Sequence, residues 1–219
     1  MKKPRVYTPT DLLGPLNDIE KKYAPKELYI CGSLSIPLPH PRIAIVGSRQ
    51  ASPQALETAR EITSTLVQNG GIIVSGLARG IDTVAHKTAI EEGGKTIAVL
   101  GTPLDKFYPR ENAPLQRIIM EKHLAVSQFP INQPTRPRNF LERNKTIALI
   151  SDVSIIVDAR NSGGTINYGW NAIRLGRPLF IWKSVINNES LIQPRKMLKY
   201  GAMTLSDVNE VINYFPASN

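Results

Sequence analysis

Residues 43–53 read Ile43-Ala44-Ile45-Val46-Gly47-Ser48-Arg49-Gln50-Ala51-Ser52-Pro53. A short apolar run without polar alternation suits a strand buried on both faces, as in a parallel sheet. The run stops at Gly47. Ser52 then supplies a helix N-cap, with Pro53 at the first helical position. Leu56, Ala59, Ile62 and Leu66 follow at helical spacing, and Asn69-Gly70-Gly71 closes the helix.

The same grammar repeats downstream. Ile72-Ile73-Val74 predicts a strand ending at Ser75-Gly76, and a helix spans about 80–92 before Gly93-Gly94. Thr96-Ile97-Ala98-Val99-Leu100 predicts a third strand, ending at Gly101. A helix over 112–122, a strand at 124–126, a proline-rich loop over 128–138 and a helix over 140–150 come next. Val153 to Val157 reads as a strand, 165–175 as a helix stopped by Gly176, and Leu179 to Trp182 as a strand. The tail from Ser190 reads as two short helices around a small strand at 202–204. Repeated strand–helix alternation with short loops means a parallel sheet covered on both faces. A closed barrel needs about 250 residues and about eight units, so an open doubly wound α/β sheet is expected. Upstream, residues 1–40 show no periodicity and are broken by Pro4, Pro9, Pro15, Pro25, Pro37 and Pro39. That predicts an extended, loop-rich lead-in with one short strand at Glu27-Leu28-Tyr29-Ile30.

Composition bounds the function. The chain has 219 residues, with 27 Lys and Arg against 18 Asp and Glu, a net charge of +9. Its isoelectric point is about 9.7. A hydrophobic content of 42% excludes a disordered chain. No apolar run reaches the ~18 residues of a membrane helix. Met1-Lys2-Lys3-Pro4 is basic but no apolar run follows, so no signal peptide is expected. The lone Cys31 makes no internal disulfide, and a cytosolic protein is the plain reading. The charge favours an anionic partner.

Open parallel sheets bind ligands at the carboxyl ends of their strands. There stand Gly47-Ser48-Arg49, Gly76-Leu77-Ala78-Arg79-Gly80, Gly101-Thr102-Pro103 and, after the fifth strand, Asn161-Ser162-Gly163-Gly164-Thr165. Glycines let a backbone approach an anion, helix N-termini attract it, and Arg49 and Arg79 offer forks that match phosphate. Such glycines also serve any α/β turn. Neither GxGxxG nor GxxxxGK[ST] is present, which disfavours a standard dinucleotide site and a P-loop. A second basic concentration, Arg136, Arg138, Arg143 and Lys145, surrounds Phe140. Cations with an interleaved ring suit single-stranded nucleic acid; Phe140 equally fits a helix's core anchor with solvated charges around it.

Catalytic constellations are thin. His40, His86 and His123 form no metal-ligand pattern, although Asp82 and His86 share a helical face. Asp82 fits the first turn of its helix, where it can brace the Arg79 loop. Asp158 and Glu111 are single acids at the crevice edge. No HExxH, GxSxG or Cys-His signature occurs. No metal and no cofactor are expected.

Several segments together resemble the DNA-processing protein A (DprA, also called Smf) family. They are Ile43 to Arg49; Val74 to Asp82 with Ala85-His86; Thr96 to Gly101 with Leu104-Asp105 and Tyr108-Pro109; and Asn139-Phe140 with Arg143-Asn144 and Ile147-Ala148. Leu28-Tyr29 and Gly32-Ser33-Leu34 resemble that family's lead-in. The resemblance implies an extended Rossmann-like domain over 41–219, preceded by the 1–40 lead-in. It implies the core without accessory N- and C-terminal domains. It implies a non-enzymatic binder of single-stranded DNA that protects the strand and helps load a RecA-type recombinase in natural transformation or recombination, acting as a homodimer. Carried over by position, Gly47, Ser48 and Arg49 hold a phosphate, Gly76 and Arg79 line the same pocket, and Asn139 and Phe140 meet a base. Arg138, Arg143 and Lys145 track the backbone, and Ser162, Gly163 and Gly164 complete the set. The fifth loop departs from the family's usual Ser-Gly-Ser. Ser162-Gly163-Gly164-Thr165 leans toward the related Lonely-guy (LOG-like) nucleotide phosphoribohydrolases, without the glutamate those enzymes carry. A nucleotide-binding sensor domain is the remaining alternative.

Overall fold

A computed structural model describes residues 4–216. Met1-Lys2-Lys3 of the basic start lie outside the described residues. Among those described, nine strands form one sheet. In chain order the elements are β1 (Arg5–Tyr7), α1 (Pro9–Leu13), α2 (Asp18–Tyr23), β2 (Leu28–Gly32), β3 (Arg42–Val46), α3 (Pro53–Gln68), β4 (Ile72–Ser75), α4 (Ile81–Glu91) and β5 (Lys95–Leu100). Then follow α5 (Ala113–Lys122), β6 (Leu124–Ser127), α6 (Pro137–Ile150), β7 (Val153–Ile156), α7 (Gly164–Arg174), β8 (Leu179–Trp182), α8 (Lys183–Asn187), α9 (Ile192–Leu198), β9 (Met203–Leu205) and α10 (Asn209–Ile212).

The sheet order is β1-β2-β6-β5-β4-β3-β7-β8-β9. From β6 to β9 every neighbouring pair is parallel, and β2 and β1 add an antiparallel edge beside β6. This is the expected doubly wound, Rossmann-like sheet. The chain enters at β3, winds outward to β6, then crosses back to β7, so the winding reverses between β3 and β7. Alternate residues of each strand feed two cores. Ala44, Val46, Val74, Ile97 and Val99 face α6 and α7. Ile43, Ile45 and Ile73 face α3 and α4, while Ala98, Leu100 and Ala125 face α5 on the same side. Both faces are dry, which is why the strands read as unbroken apolar runs.

The lead-in corrects the sequence reading. It is not mainly loop: β1, α1, α2 and β2 are all built there. Pro9 opens α1 rather than breaking it, because an N-terminal helical position needs no N–H. Thr8 with Asp11 and Asn17 with Glu20 form reciprocal capping boxes, which stabilise helices too short to show a period. Buried Glu20 receives Arg177 Nη2, and the same nitrogen donates to Leu149 O at 3.0 Å, which ties α2 to the end of α6. Two smaller corrections concern helices: α6 begins at Pro137 and α8 was not anticipated. Among the described residues no helix is long and apolar enough to cross a membrane.

At the amino ends of the central strands lies a buried ion pair. Arg42 is 3% exposed and its Nη2 meets Asp152 Oδ1 at 2.9 Å. Asp152 Oδ2 also accepts from the Arg42 backbone N–H at 2.7 Å and contacts His40 Nδ1 at 2.8 Å. Removing the carboxylate strands a buried guanidinium. Asp152→Ala is expected to cost about 3–5 kcal/mol of stability, measured by urea unfolding against the unchanged chain.

Candidate nucleic-acid interface

The carboxyl ends of β3, β4, β5 and β7 open on one edge, as do the amino ends of α3, α4, α6 and α7. Phe140 stands there, on the first turn of α6. The helix places it by an inward stripe: Phe140, Arg143, Asn144 and Ile147 repeat at helical spacing, and all but Phe140, which is half-buried, are buried. Phe140 packs against Gly101, where an added Cβ would come within 2.4 Å of the ring. Arg49 Cζ lies 5.7 Å from the Phe140 ring centroid. Tyr108 also packs on Phe140, its ring centroid 5.1 Å away and tilted by 48°, with its residue 51% exposed. A guanidinium and two rings therefore adjoin at the sheet edge.

Arg143 is not on the surface with them. Its residue is 5% exposed. Nη1 donates to Val99 O at 2.7 Å and to Gly76 O, and Nε donates to Asn144 Oδ1 at 3.3 Å. The guanidinium fills the space that Gly76 leaves: a Cβ there would fall 2.1 Å from Nη1. Burial pushes its pKa down to about 10, with Asp82 opposing the shift, so it stays charged at neutral pH. The expectation that Arg143 tracks a DNA backbone is corrected. A side chain on the inward stripe and bonded to two strand-end carbonyls has no reach to solvent. It fixes α6 instead.

Gly76 is corrected in the same way. Its N–H donates to Asp82 Oδ2 at 3.1 Å, and the Ala78 N–H reaches the same oxygen at 3.3 Å. The anion cradle of this loop is thus filled by the protein's own carboxylate, as the first-turn position of Asp82 allows. Buried Leu77 holds a positive φ of 57° inside the loop. Such a backbone persists only where neighbours over-determine it. Asn112 Nδ2 supplies this by donating to Leu77 O at 3.0 Å, and Thr83 Oγ1 by donating to Ala78 O at 2.6 Å. Arg79 projects from this rigid loop into solvent and pairs with Glu111.

The remaining residues divide by position. Ser48 is buried, and its Oγ accepts from the Gln50 N–H at 3.1 Å. Gly47 beside it would bring a Cβ within 2.4 Å of Ile81. Asn139 is buried with its amide nitrogen unpartnered. Arg138 and Lys145 lie exposed on the outer stripe of α6, and Arg138 is 3.9 Å from Glu142. Lys145, more than a turn beyond Phe140, is carried away from the edge by the helix rise. Ser162, Gly163 and Gly164 form an exposed loop entering α7, and Asn144 Nδ2 donates to Gly164 O at 3.0 Å. Asn167 stands one turn into α7, and its Oδ1 accepts from Asn144 and Asn171, each at 3.2 Å. Sequence reading gave no role to Tyr108 or Asn144. The signal for Asn144 was its place on the inward stripe of α6.

The model of the DNA recombination-mediator protein A family matches residues 7–216. The chain belongs to that family. It is similar to DNA processing protein DprA of Streptococcus pneumoniae, with 41% identity over 165 residues, 74% of this chain and 57% of that protein. The X-ray structure of DprA from that organism superposes with a TM-score of 0.82 at 30% identity, over 99% of this chain and 76% of the other. DprA from Helicobacter pylori, solved for its single-stranded DNA binding mode, gives a TM-score of 0.76 at 26% identity, over 95% of this chain and 94% of that one. The chain spans about half the length of the curated relatives it matches first.

Beneath the interface His86 is fully buried, with Nδ1 2.7 Å from Thr96 Oγ1. Burial, reinforced by the charge of Arg143, pushes its pKa down to about 3. An unfolded histidine titrates near ~6.5. Between those values the unfolded chain binds a proton that the folded chain refuses. The His86 contribution is therefore complete above pH ~6.5 and is lost as the pH falls toward the folded value, by up to about 1.4 kcal/mol per pH unit. His86→Gln is expected to flatten this acid limb, read from urea midpoints across pH.

Proposed function

We propose that this chain binds single-stranded DNA without sequence preference, at the edge formed by Arg49, Phe140 and Tyr108. One observation carries the reading: a guanidinium with no ion-pair partner among the described residues lies over a half-buried ring that packs on a second ring, at the carboxyl end of a parallel sheet. Rings accept any base face and cations take the phosphates, so such a row binds strands by chemistry common to every nucleotide. The amino terminus of α6 adds its dipole, with exposed Arg136 and Arg138 beside it. The relative from Helicobacter pylori, described for single-stranded DNA binding, supports the same reading.

The role is binding rather than catalysis. Asp82 is committed to two backbone amides and Glu111 to Arg79. The stretch Thr165-Ile166-Asn167-Tyr168 offers no glutamate of the kind the LOG-like hydrolases carry, and the Asn167 side-chain oxygen is engaged by two asparagines. Protection of the strand and delivery to a RecA-type recombinase, by a cytoplasmic homodimer, complete the proposal.

Gel shifts with oligo-dT over a salt series test it. The log–log slope is expected to fall by about 0.7 per phosphate neutralised. Arg49→Ala is expected to weaken binding and flatten the slope by about that amount. Phe140→Ala is expected to weaken binding about 5- to 150-fold with little change of slope, since a ring contributes stacking and no charge. Salt-independent affinity, or an Arg49→Ala protein that binds normally, overturns the reading.

A further inference from the structure

The row of groups continues past Phe140. Tyr108 extends it, and Glu111, three residues further along the same segment, pairs with Arg79. Arg79 is 65% exposed at its side chain, yet its fork is closed. Nε donates to Glu111 Oε1, and Nη2 donates to Oε2 at 3.1 Å. Two parallel N–H groups on two oxygens of one anion is also how a guanidinium holds a phosphodiester. The hydrogen bonds from Arg79 hold the Glu111 carboxyl below the usual carboxylate range.

Neither partner is needed to build its loop. The 76–80 loop is held by Asp82, Thr83 and Asn112. The segment before Glu111 is held by Gln116 Nε2, which donates to Lys106 O at 3.1 Å. Glu111 is 48% exposed at its side chain and has no other side-chain partner among the described residues. An exposed pair of this kind adds little to stability. Its geometry instead keeps one phosphate-type fork occupied while no strand is bound.

We propose that Tyr108 stacks a second base, that Arg79 takes the phosphate beside it, and that Glu111 is the internal carboxylate which that phosphate replaces. The inference rests on the single-stranded DNA reading and extends it by one nucleotide subsite. Exchange of carboxylate for phosphate at Arg79 is close to neutral by itself, because one anion succeeds another. A strand also brings a base to Tyr108 and its neighbouring phosphate to Arg49; a lone mononucleotide brings less. Glu111 thereby favours strands over free nucleotides.

The test uses fluorescent oligo-dT and the full chain at several salt concentrations, with thermal unfolding recorded for each variant. Glu111→Gln is expected to tighten binding about two- to five-fold at low salt, with the gain fading as salt screens the pair in the unmodified protein. Arg79→Ala is expected to cost little in the parent and more in the Glu111→Gln background. Tyr108→Ala is expected to weaken binding about five-fold or more, and Tyr108→Phe to restore it. A structural role for Glu111 predicts unchanged or weaker binding instead. That result, or an equal cost of Arg79→Ala in both backgrounds, overturns this proposal while leaving the binding reading intact. A parent chain that binds no oligo-dT at any salt overturns both.

Discussion

The guanidinium of Arg143 is a full charge in a dry interior, and such a charge is tolerated only when its donors and its field are answered. Gly76 O and Val99 O answer the donors, and Asp82 answers the field. Much else follows from that accommodation. A Cβ at the position before Leu77 would displace the guanidinium from its seat, and glycine leaves that seat open. The amino-terminal half of α6 is held against the ends of β4 and β5, so Phe140, one turn earlier, falls onto Gly101. Asn144, the next residue, carries the tie across to Gly164 at the entrance of α7. One buried cation and its neighbour thus register three loops that come from distant parts of the chain.

That registration explains why the edge reads as a surface for a strand rather than as a closed nucleotide pocket. In many parallel α/β proteins a glycine loop offers bare amides to a phosphate. Here the amides of Gly76 and Ala78 are taken by Asp82. The exposed cations of this edge are instead the side chains of Arg49, beside the ring of Phe140, and Arg79, paired with Glu111. Cations separated by aromatic faces suit a repeating polyanion with stacked bases.

How much of this was legible in the sequence depends on the range of the forces involved. Strand ends, Ser52 with Pro53, and Gly70-Gly71 are local punctuation, and they place the central sheet correctly from β3 onward. The lead-in misled because α1 and α2 are of five and six residues, below the length at which periodicity shows. Their capping pairs, Thr8 with Asp11 and Asn17 with Glu20, were the better signal. Phe140 and Arg49 were found as charge and ring, but their contact joins residues 49 and 140 through tertiary packing that no spacing encodes. The burial of Arg143 was partly readable. An arginine between Phe140 and Ile147 on an apolar stripe is a cation pointing inward, and charge counting alone counted it as surface.

The same geometry leaves the edge electrically unsatisfied. Burial is the main cause that lowers the pKa of Arg143, and the nearby positive charge of Arg49 adds to it. Asp82, buried and bonded to the Gly76 amide, favours the charged form of Arg143. No described carboxylate pairs with Arg49 from above; its recorded neighbour is the face of Phe140. An anion arriving over that ring relieves the repulsion between the two guanidiniums while it gains the attraction of Arg49. Because Arg143 is fixed by two carbonyls, it cannot move away to relieve that repulsion itself. Under the proposed binding reading, Arg49 meets the anion while Arg143, held by two carbonyls, sets the charge behind it.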